Sequence, residues 1–82
     1  MWELEYSPEA NNYAFDSYPY NETVLAAIET LAQTEEGIPS TDWDEWQPDY
    51  FLWVVADHLV SYQKITGEPP KLRILVIKPI DG

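Results

Sequence analysis

Large apolar residues alternate with glutamates from Trp2 to Tyr6, the period-two pattern of a strand with one buried face. Ser7-Pro8 ends this predicted strand. Further along, apolar residues recur at helical spacing from Val24 to Ala32 and form one stripe. This stripe predicts an amphipathic helix that Asn21 caps and that ends near Glu35.

Three more strands are predicted between residues 50 and 80, with turns at residues 57–58 and 66–70. The last of them is apolar on both faces, which favours an interior place in the sheet. Residues 11–20 and 40–49 have no clear period and are predicted loops. The pattern therefore predicts an α+β fold, in the order strand-helix-strand-strand-strand. One main helix covers one face of a twisted, mainly antiparallel four-stranded sheet.

A resemblance to a known family accompanies this order. Residues 2–10, WELEYSPEA, resemble the strand followed by S-P-x-A that opens members of the RelE/ParE toxin superfamily. Residues 53–62 resemble the middle hairpin of that family, and residues 74–77 resemble its next strand. The resemblance implies a single RelE/ParE-like α+β domain over residues 1–82.

The toxins of this family are basic, and the resemblance implies either cleavage of messenger RNA on the ribosome or poisoning of a topoisomerase. This chain departs from that pattern. Hairpin positions where the family has arginines read Leu52 and Val54, and the chain ends at Gly82 without a terminal His, Arg or Tyr. The resemblance therefore implies the fold more than the activity.

Charge divides the chain after Gln63. The first 63 residues hold 13 of the 15 acidic residues and no lysine or arginine, and the net charge is −11. Binding to phosphates requires rows of lysine and arginine, so such a surface is repelled by DNA, RNA and anionic lipid. The charge predicts a basic protein as the partner, with no direct binding of nucleic acid or membrane.

Composition narrows the chemistry further. The chain has no cysteine, and 45% of its residues are hydrophobic, which predicts a folded core without disulfides or thiolate chemistry. It has no apolar leader at its start and no stretch of the ~18 apolar residues of a membrane span, so a cytoplasmic location is expected. No cofactor is predicted.

Candidate catalytic residues arise only on a toxin interpretation, and they are His58, Lys64 and Arg73. Catalysis by His58 would require a second titratable group and a group that stabilises the transition state. Its position in a predicted hairpin turn favours a solvated histidine instead. The basic residues near the end of the chain favour local ion pairs over a role in phosphoryl chemistry.

Acidic and aromatic residues are densest in residues 42–49. The carboxylates there do not have the spacing of an EF-hand, because Gln47 stands where that loop needs glycine and Trp53 where it needs glutamate. No metal site is predicted. Tryptophan and tyrosine beside carboxylates are typical of interface anchors with a charged rim. The predicted partner-binding residues are Asp42, Trp43, Asp44, Glu45, Trp46 and Asp49, together with Tyr18 and Tyr20.

These features predict a non-catalytic acidic module, a regulator or adaptor that binds a basic protein. One version is a nucleic-acid mimic, an inhibitor whose carboxylates imitate phosphates. An alternative is the toxin component of a type II toxin-antitoxin system. Another is a small subunit of a larger assembly. The oligomeric state predicted is a monomer or a weak homodimer that forms by pairing of sheet edges.

Overall fold

The computed structural model describes residues 1–16 and 18–80; Ser17, within the loop predicted for residues 11–20, and Asp81 and Gly82 lie outside them. Two helices and five strands make up the described part of the chain. In chain order they are β1 (Glu3–Tyr6), α1 (Pro8–Asp16), α2 (Glu22–Ala32), β2 (Trp43–Gln47), β3 (Tyr50–Val55), β4 (His58–Ile65) and β5 (Lys71–Pro79).

The strands form one sheet in the order β1-β5-β4-β3-β2. β1 pairs with β5 in parallel, and the other three pairings are antiparallel. The predicted α+β class is confirmed, and β5 has the predicted interior place between two neighbours. The prediction of four strands and one main helix is wrong in detail, because α1 and β2 were both expected to be loops.

The helix α1 begins with a signal that the prediction used only to end β1. The Ser7 Oγ accepts the Ala10 N–H at 3.1 Å, as an N-cap side chain does, and Pro8 occupies the first helical position, where its missing N–H is harmless. The same hydroxyl donates to the Leu75 carbonyl oxygen at 2.6 Å. Ser7 therefore ends β1, starts α1 and ties both to β5.

Asn21 precedes α2 as predicted, but its side chain does not cap the helix. Its Nδ2 donates instead to the carbonyl oxygen of Ala14, near the end of α1. Asn21 is buried, so this bond joins the two helices beneath the surface. The helix ends at Ala32, three residues before the predicted end at Glu35.

The core lies between the two helices and one face of the sheet. Its members from the helices are small or branched. Those from β3 and β4 fall on alternate positions, whereas an irregularity in the β4–β5 pairing interrupts the alternation in β5 between Ile74 and Ile77. They are Ala10, Val24, Ile28, Leu31, Ala32, Phe51, Trp53, Val60, Tyr62, Leu72, Ile74 and Ile77. The Phe51 and Tyr62 rings stack at the centre, with centroids 5.1 Å apart. Neither described helix is long and apolar enough to cross a membrane.

Candidate functional site

Six of the eight predicted partner-binding residues lie together along β2 and its two flanks. We call the segment from Asp42 to Asp49 the acidic edge. β2 is the last strand of the sheet, and all five of its residues are exposed. The prediction of a loop here is wrong: the sequence WDEWQ has no buried face of its own and becomes a strand only by pairing with β3.

The backbone of the acidic edge has an unpaired side. The Val54 N–H donates to the Asp42 carbonyl oxygen at 2.9 Å, and Trp43 and Asp44 oppose Trp53 and Leu52. Backbone groups of successive residues alternate in direction in an antiparallel pair. The N–H and C=O groups of Trp43 therefore point away from β3, toward the free side of the sheet.

The aromatic rings of the acidic edge are anchored but accessible. The Trp43 ring lies 5.8 Å from the Phe51 ring, and the Trp46 ring lies 5.6 Å from the Tyr50 ring, between centroids. Trp43 remains 39% exposed and Trp46 50% exposed. These contacts hold two large apolar surfaces in place before any partner arrives.

A shallow cavity of about 450 Å³ lies beside the acidic edge, on the face of the sheet opposite the helices. Its floor is apolar, made by Leu52 and Val54 of β3 and Leu59 of β4. Asp42 and Asp44 are also among its lining residues. The arrangement places apolar surface beside carboxylates, as in the centre and rim of a protein interface.

Three of the four described basic residues have contacts elsewhere, and no salt bridge to the acidic edge is found in the described part of the chain. Arg73 donates to the Glu5 carboxylate at 2.6 Å, and the Lys71 Nζ lies 3.7 Å from the same group. These hydrogen bonds and charges lower the pKa of Glu5. The Lys64 Nζ lies 5.2 Å from the centroid of the Trp2 ring.

Glu45 also shapes the turn at the end of the acidic edge. Its Oε2 accepts the Asp49 N–H at 2.9 Å. Asp49 adopts a φ of 69°, a conformation that asparagine and aspartate tolerate better than other non-glycine residues. Within residues 1–16 and 18–80, no three carboxylate or histidine side chains lie close enough to hold a metal ion.

The prediction of a solvated His58 is wrong. The turn before β4 is formed by Ala56 and Asp57, so His58 is the first residue of the strand and is only 6% exposed. Its Nδ1 lies 2.6 Å from the Ala56 carbonyl oxygen, and its Nε2 lies 2.6 Å from the Tyr13 hydroxyl. The Tyr13 contact was missed because α1 was predicted to be a loop.

The three residues considered for a toxin site do not form one. His58 and Lys64 stand near opposite ends of β4, and Arg73 pairs with Gln63, on the other face of the sheet from Lys64. Each contacts a different neighbour. His58 contacts Tyr13, Lys64 lies over the Trp2 ring, and Arg73 binds Glu5. This arrangement provides no cation beside His58 to stabilise a phosphoryl transition state.

Tyr18 and Tyr20, the other two predicted partner-binding residues, lie apart from the acidic edge. They belong to the connection between α1 and α2, and their side chains are 71% and 82% exposed. Tyr20 lines a cleft against the turn that precedes β4. No family model, curated protein or solved structure matches the chain.

Proposed function

We propose that this protein is a non-catalytic acidic binding module that engages a basic protein through its acidic edge. The observation that carries the proposal is the cavity floored by Leu52, Val54 and Leu59, with Asp42 and Asp44 beside it and two anchored tryptophans nearby. The apolar floor supplies area to bury, and the carboxylates attract and orient a positively charged surface.

The distribution of charge supports a basic partner over a second copy of the chain. Pairing two β2 strands would bring Asp44 and Glu45 of one copy close to the same residues of the other. Like charges on adjacent strands are destabilising. A segment rich in lysine or arginine would gain attraction at the same positions and would also meet the free backbone groups of Trp43.

The element order supports a RelE/ParE-like scaffold for this module. The family places a helical segment before a strand pair joined by a tight turn. In this chain two helices follow β1 and precede the other four strands, and a two-residue turn joins β3 to β4. On this proposal the chain keeps the scaffold of a toxin and carries an acidic surface in place of a basic one.

An affinity capture with matched variants tests the proposal. The full chain is immobilised and exposed to a nuclease-treated lysate of the source cells at low and high salt, and bound proteins are identified by mass spectrometry. Asp42→Asn combined with Asp44→Asn removes two charges from the acidic edge. Glu35→Gln combined with Glu36→Gln removes two exposed charges elsewhere. Trp46→Ala is matched by Phe15→Ala, another exposed aromatic residue.

The expected result is one basic protein that binds the unmodified chain, Phe15→Ala and the Glu35/Glu36 variant. Its affinity for Trp46→Ala should fall about tenfold or more, as for an interface anchor. Retention should weaken with salt, since the pairing is electrostatic. Equal retention by all variants would refute the acidic edge as the binding surface. Displacement of the partner by added DNA or RNA would identify the mimic version of the function.

A further inference from the structure

A second candidate site lies at the end of the sheet where β3 turns into β4. A cleft of about 770 Å³ opens there between the α1–α2 connection, the turn and the end of β5. Tyr13 and Asp16 line it from the end of α1, Tyr20 from the connection and Asp57 from the turn. The Ile80 N–H donates to the Asp57 carbonyl oxygen at 2.9 Å and holds the turn against the chain that follows β5.

His58 lies at the base of this cleft, and its neighbours decide which hydrogen-bonding groups it offers. The Ala56 carbonyl oxygen only accepts, so the His58 Nδ1 carries a proton and donates to it. In a neutral imidazole the Nε2 then accepts from the Tyr13 hydroxyl. Both nitrogens are engaged, and His58 supplies no free donor to the cleft.

The hydrogen-bonding capacity that remains is dominated by acceptors. The Tyr13 hydroxyl donates its hydrogen bond to His58 and keeps its oxygen lone pairs, while Asp16 and Asp57 offer carboxylates. None of the described lining residues is lysine or arginine. A ligand that complements this cleft must therefore be rich in donors and positively charged.

The walls of the cleft favour a flat cation with an apolar stem. Tyr20 is 82% exposed and presents a ring, and Pro79 and Ile80 supply apolar surface. A guanidinium group stacks on aromatic faces and donates through a planar fork to carboxylates, whereas an ammonium group is more strongly hydrated. The three methylenes of an arginine side chain match the apolar wall.

From this geometry we infer that the cleft between Tyr20 and Asp57 binds an arginine side chain of the basic partner. The inference rests on the proposed function only for the source of the arginine, because the guanidinium site itself is a property of this chain. It gives the partner a second point of contact, separate from the acidic edge, and it assigns Tyr20 the binding role that its exposure alone left open.

N-acetylargininamide is the probe that tests the cleft without the partner. It is titrated into the isotope-labelled full chain at low salt, and chemical shifts are followed by NMR. N-acetylcitrullinamide is the matched neutral ligand, since it replaces the guanidinium with a urea of similar shape. We expect saturable shifts at Tyr20 and Asp57 with a dissociation constant of about 1 mM, and none of this size with the citrulline compound.

Two pairs of variants locate the binding. Asp57→Asn is compared with Glu36→Gln, because both changes replace an exposed carboxylate with an amide and Glu36 lies outside both the cleft and the acidic edge. Tyr20→Leu is compared with Phe15→Leu, which changes an exposed aromatic residue outside the cleft. Asp57→Asn and Tyr20→Leu should each raise the dissociation constant of the probe by about threefold to fivefold, and the two control variants should not change it.

Other outcomes overturn the inference. Equal losses from Asp57→Asn and Glu36→Gln would mean general attraction to an acidic protein, and binding of the citrulline compound would exclude a guanidinium site. Thermal melting of each variant confirms that it is folded. If the probe does not bind, the arginine site is refuted and the proposal for the acidic edge is unaffected. If the probe binds but the partner's affinity does not change with Trp46→Ala, the proposed function is refuted and the arginine site stands.

Discussion

The two edges of the sheet are built from similar residues and behave differently. β1 and β2 each mix tryptophan or tyrosine with glutamate or aspartate. At the β1 edge, the Trp2 ring packs beside Gly37, the Trp2 N–H donates to the Ala32 carbonyl oxygen, and the Glu5 carboxylate is bound by Arg73 and Lys71. At the β2 edge the rings stay half exposed and the carboxylates lack such partners.

The difference shows that composition does not decide what an edge strand does. The β1 edge is joined to the helices and to β5, so the charge of Glu5 is neutralised and the Trp2 ring packs against the core. Among the described strands β2 pairs with β3 alone, and no salt bridge to its carboxylates is found there, so its charge repels other copies of the chain. The β1 edge serves stability, and we propose that the acidic edge serves recognition.

The largest expected effect on stability comes from a substitution at Gly37, which lies beside the β1 edge. This residue has a φ of 65°, and a Cβ atom there would lie 2.9 Å from Trp2 Cε2 and 3.2 Å from Leu72 Cδ2. Gly37→Ala should lower the free energy of unfolding by about 2–4 kcal/mol, from backbone strain and overpacking together. Urea denaturation measures the loss. In a Trp2→Leu background, Gly37→Ala should cost less, and an equal cost in that background would mean that the clash is not with the ring.

The two edges are compared directly by removing one tryptophan from each. Trp2 packs against the core, whereas Trp46 is half exposed and contacts Tyr50. Trp2→Ala should reduce the free energy of unfolding by about 2 kcal/mol or more, and Trp46→Ala by about 0.5–1 kcal/mol. The same denaturation series measures both. Equal losses would show that the acidic edge is as much a part of the fold as β1.

A buried hydrogen bond connects the centre of the sheet to the loop beside β1. The Tyr62 hydroxyl donates to the Gly37 carbonyl oxygen at 2.9 Å, and burial raises the pKa of Tyr62 far above its ordinary value. Tyr62→Phe should cost about 1–2 kcal/mol, because the buried carbonyl loses its partner. In an alkaline titration of the folded protein followed by tyrosine absorbance, the unmodified chain and Tyr62→Phe should show the same ionisation of tyrosines, because buried Tyr62 does not ionise with the others. Loss of one of these ionisations in Tyr62→Phe would mean that Tyr62 is in contact with water.

The smallest expected effect is a change in melting temperature when one charge is removed from each edge, and its sign should differ between the two edges. The lowered pKa of Glu5 means that its ionised form stabilises the fold above the ordinary carboxyl range, and that this contribution disappears as the pH falls through the lowered value. At neutral pH and low salt, Glu5→Gln should lower the melting temperature slightly, and Asp44→Asn should raise it by relieving repulsion. Both differences should vanish at acid pH, and shifts of the same sign would contradict the comparison.

Regular patterns were predictable from the sequence, and edges and junctions were not. β1, the helix after Asn21 and the strands between residues 50 and 80 follow clear periods of burial, and each was found close to its predicted position. α1 was missed because its aromatic residues have no simple stripe, although Ser7-Pro8 carried a start signal. β2 was missed because its five residues are exposed and only β3 makes them a strand.

The candidate sites divide in the same way. The acidic and aromatic residues of the acidic edge were identified from composition alone, since charge and ring content are properties of the sequence. The cleft was not, because it joins Tyr13, Tyr20 and Asp57 from three separate parts of the chain. The burial of His58 was likewise invisible, since it depends on where α1 packs and on a turn one residue earlier than predicted.

The sequence by itself determined the charge division, the α+β class and the apolar stripes that meet in the core, because these follow from residue type and local period. Tertiary structure alone decided which carboxylates are neutralised. Glu5 and Asp44 both lie on edge strands, but the parallel pairing of β1 with β5 brings Arg73 to Glu5. The strand next to β2 is β3, which has no lysine or arginine to place beside Asp44. Pairing across the sheet sets those neighbours, and no local pattern encodes it.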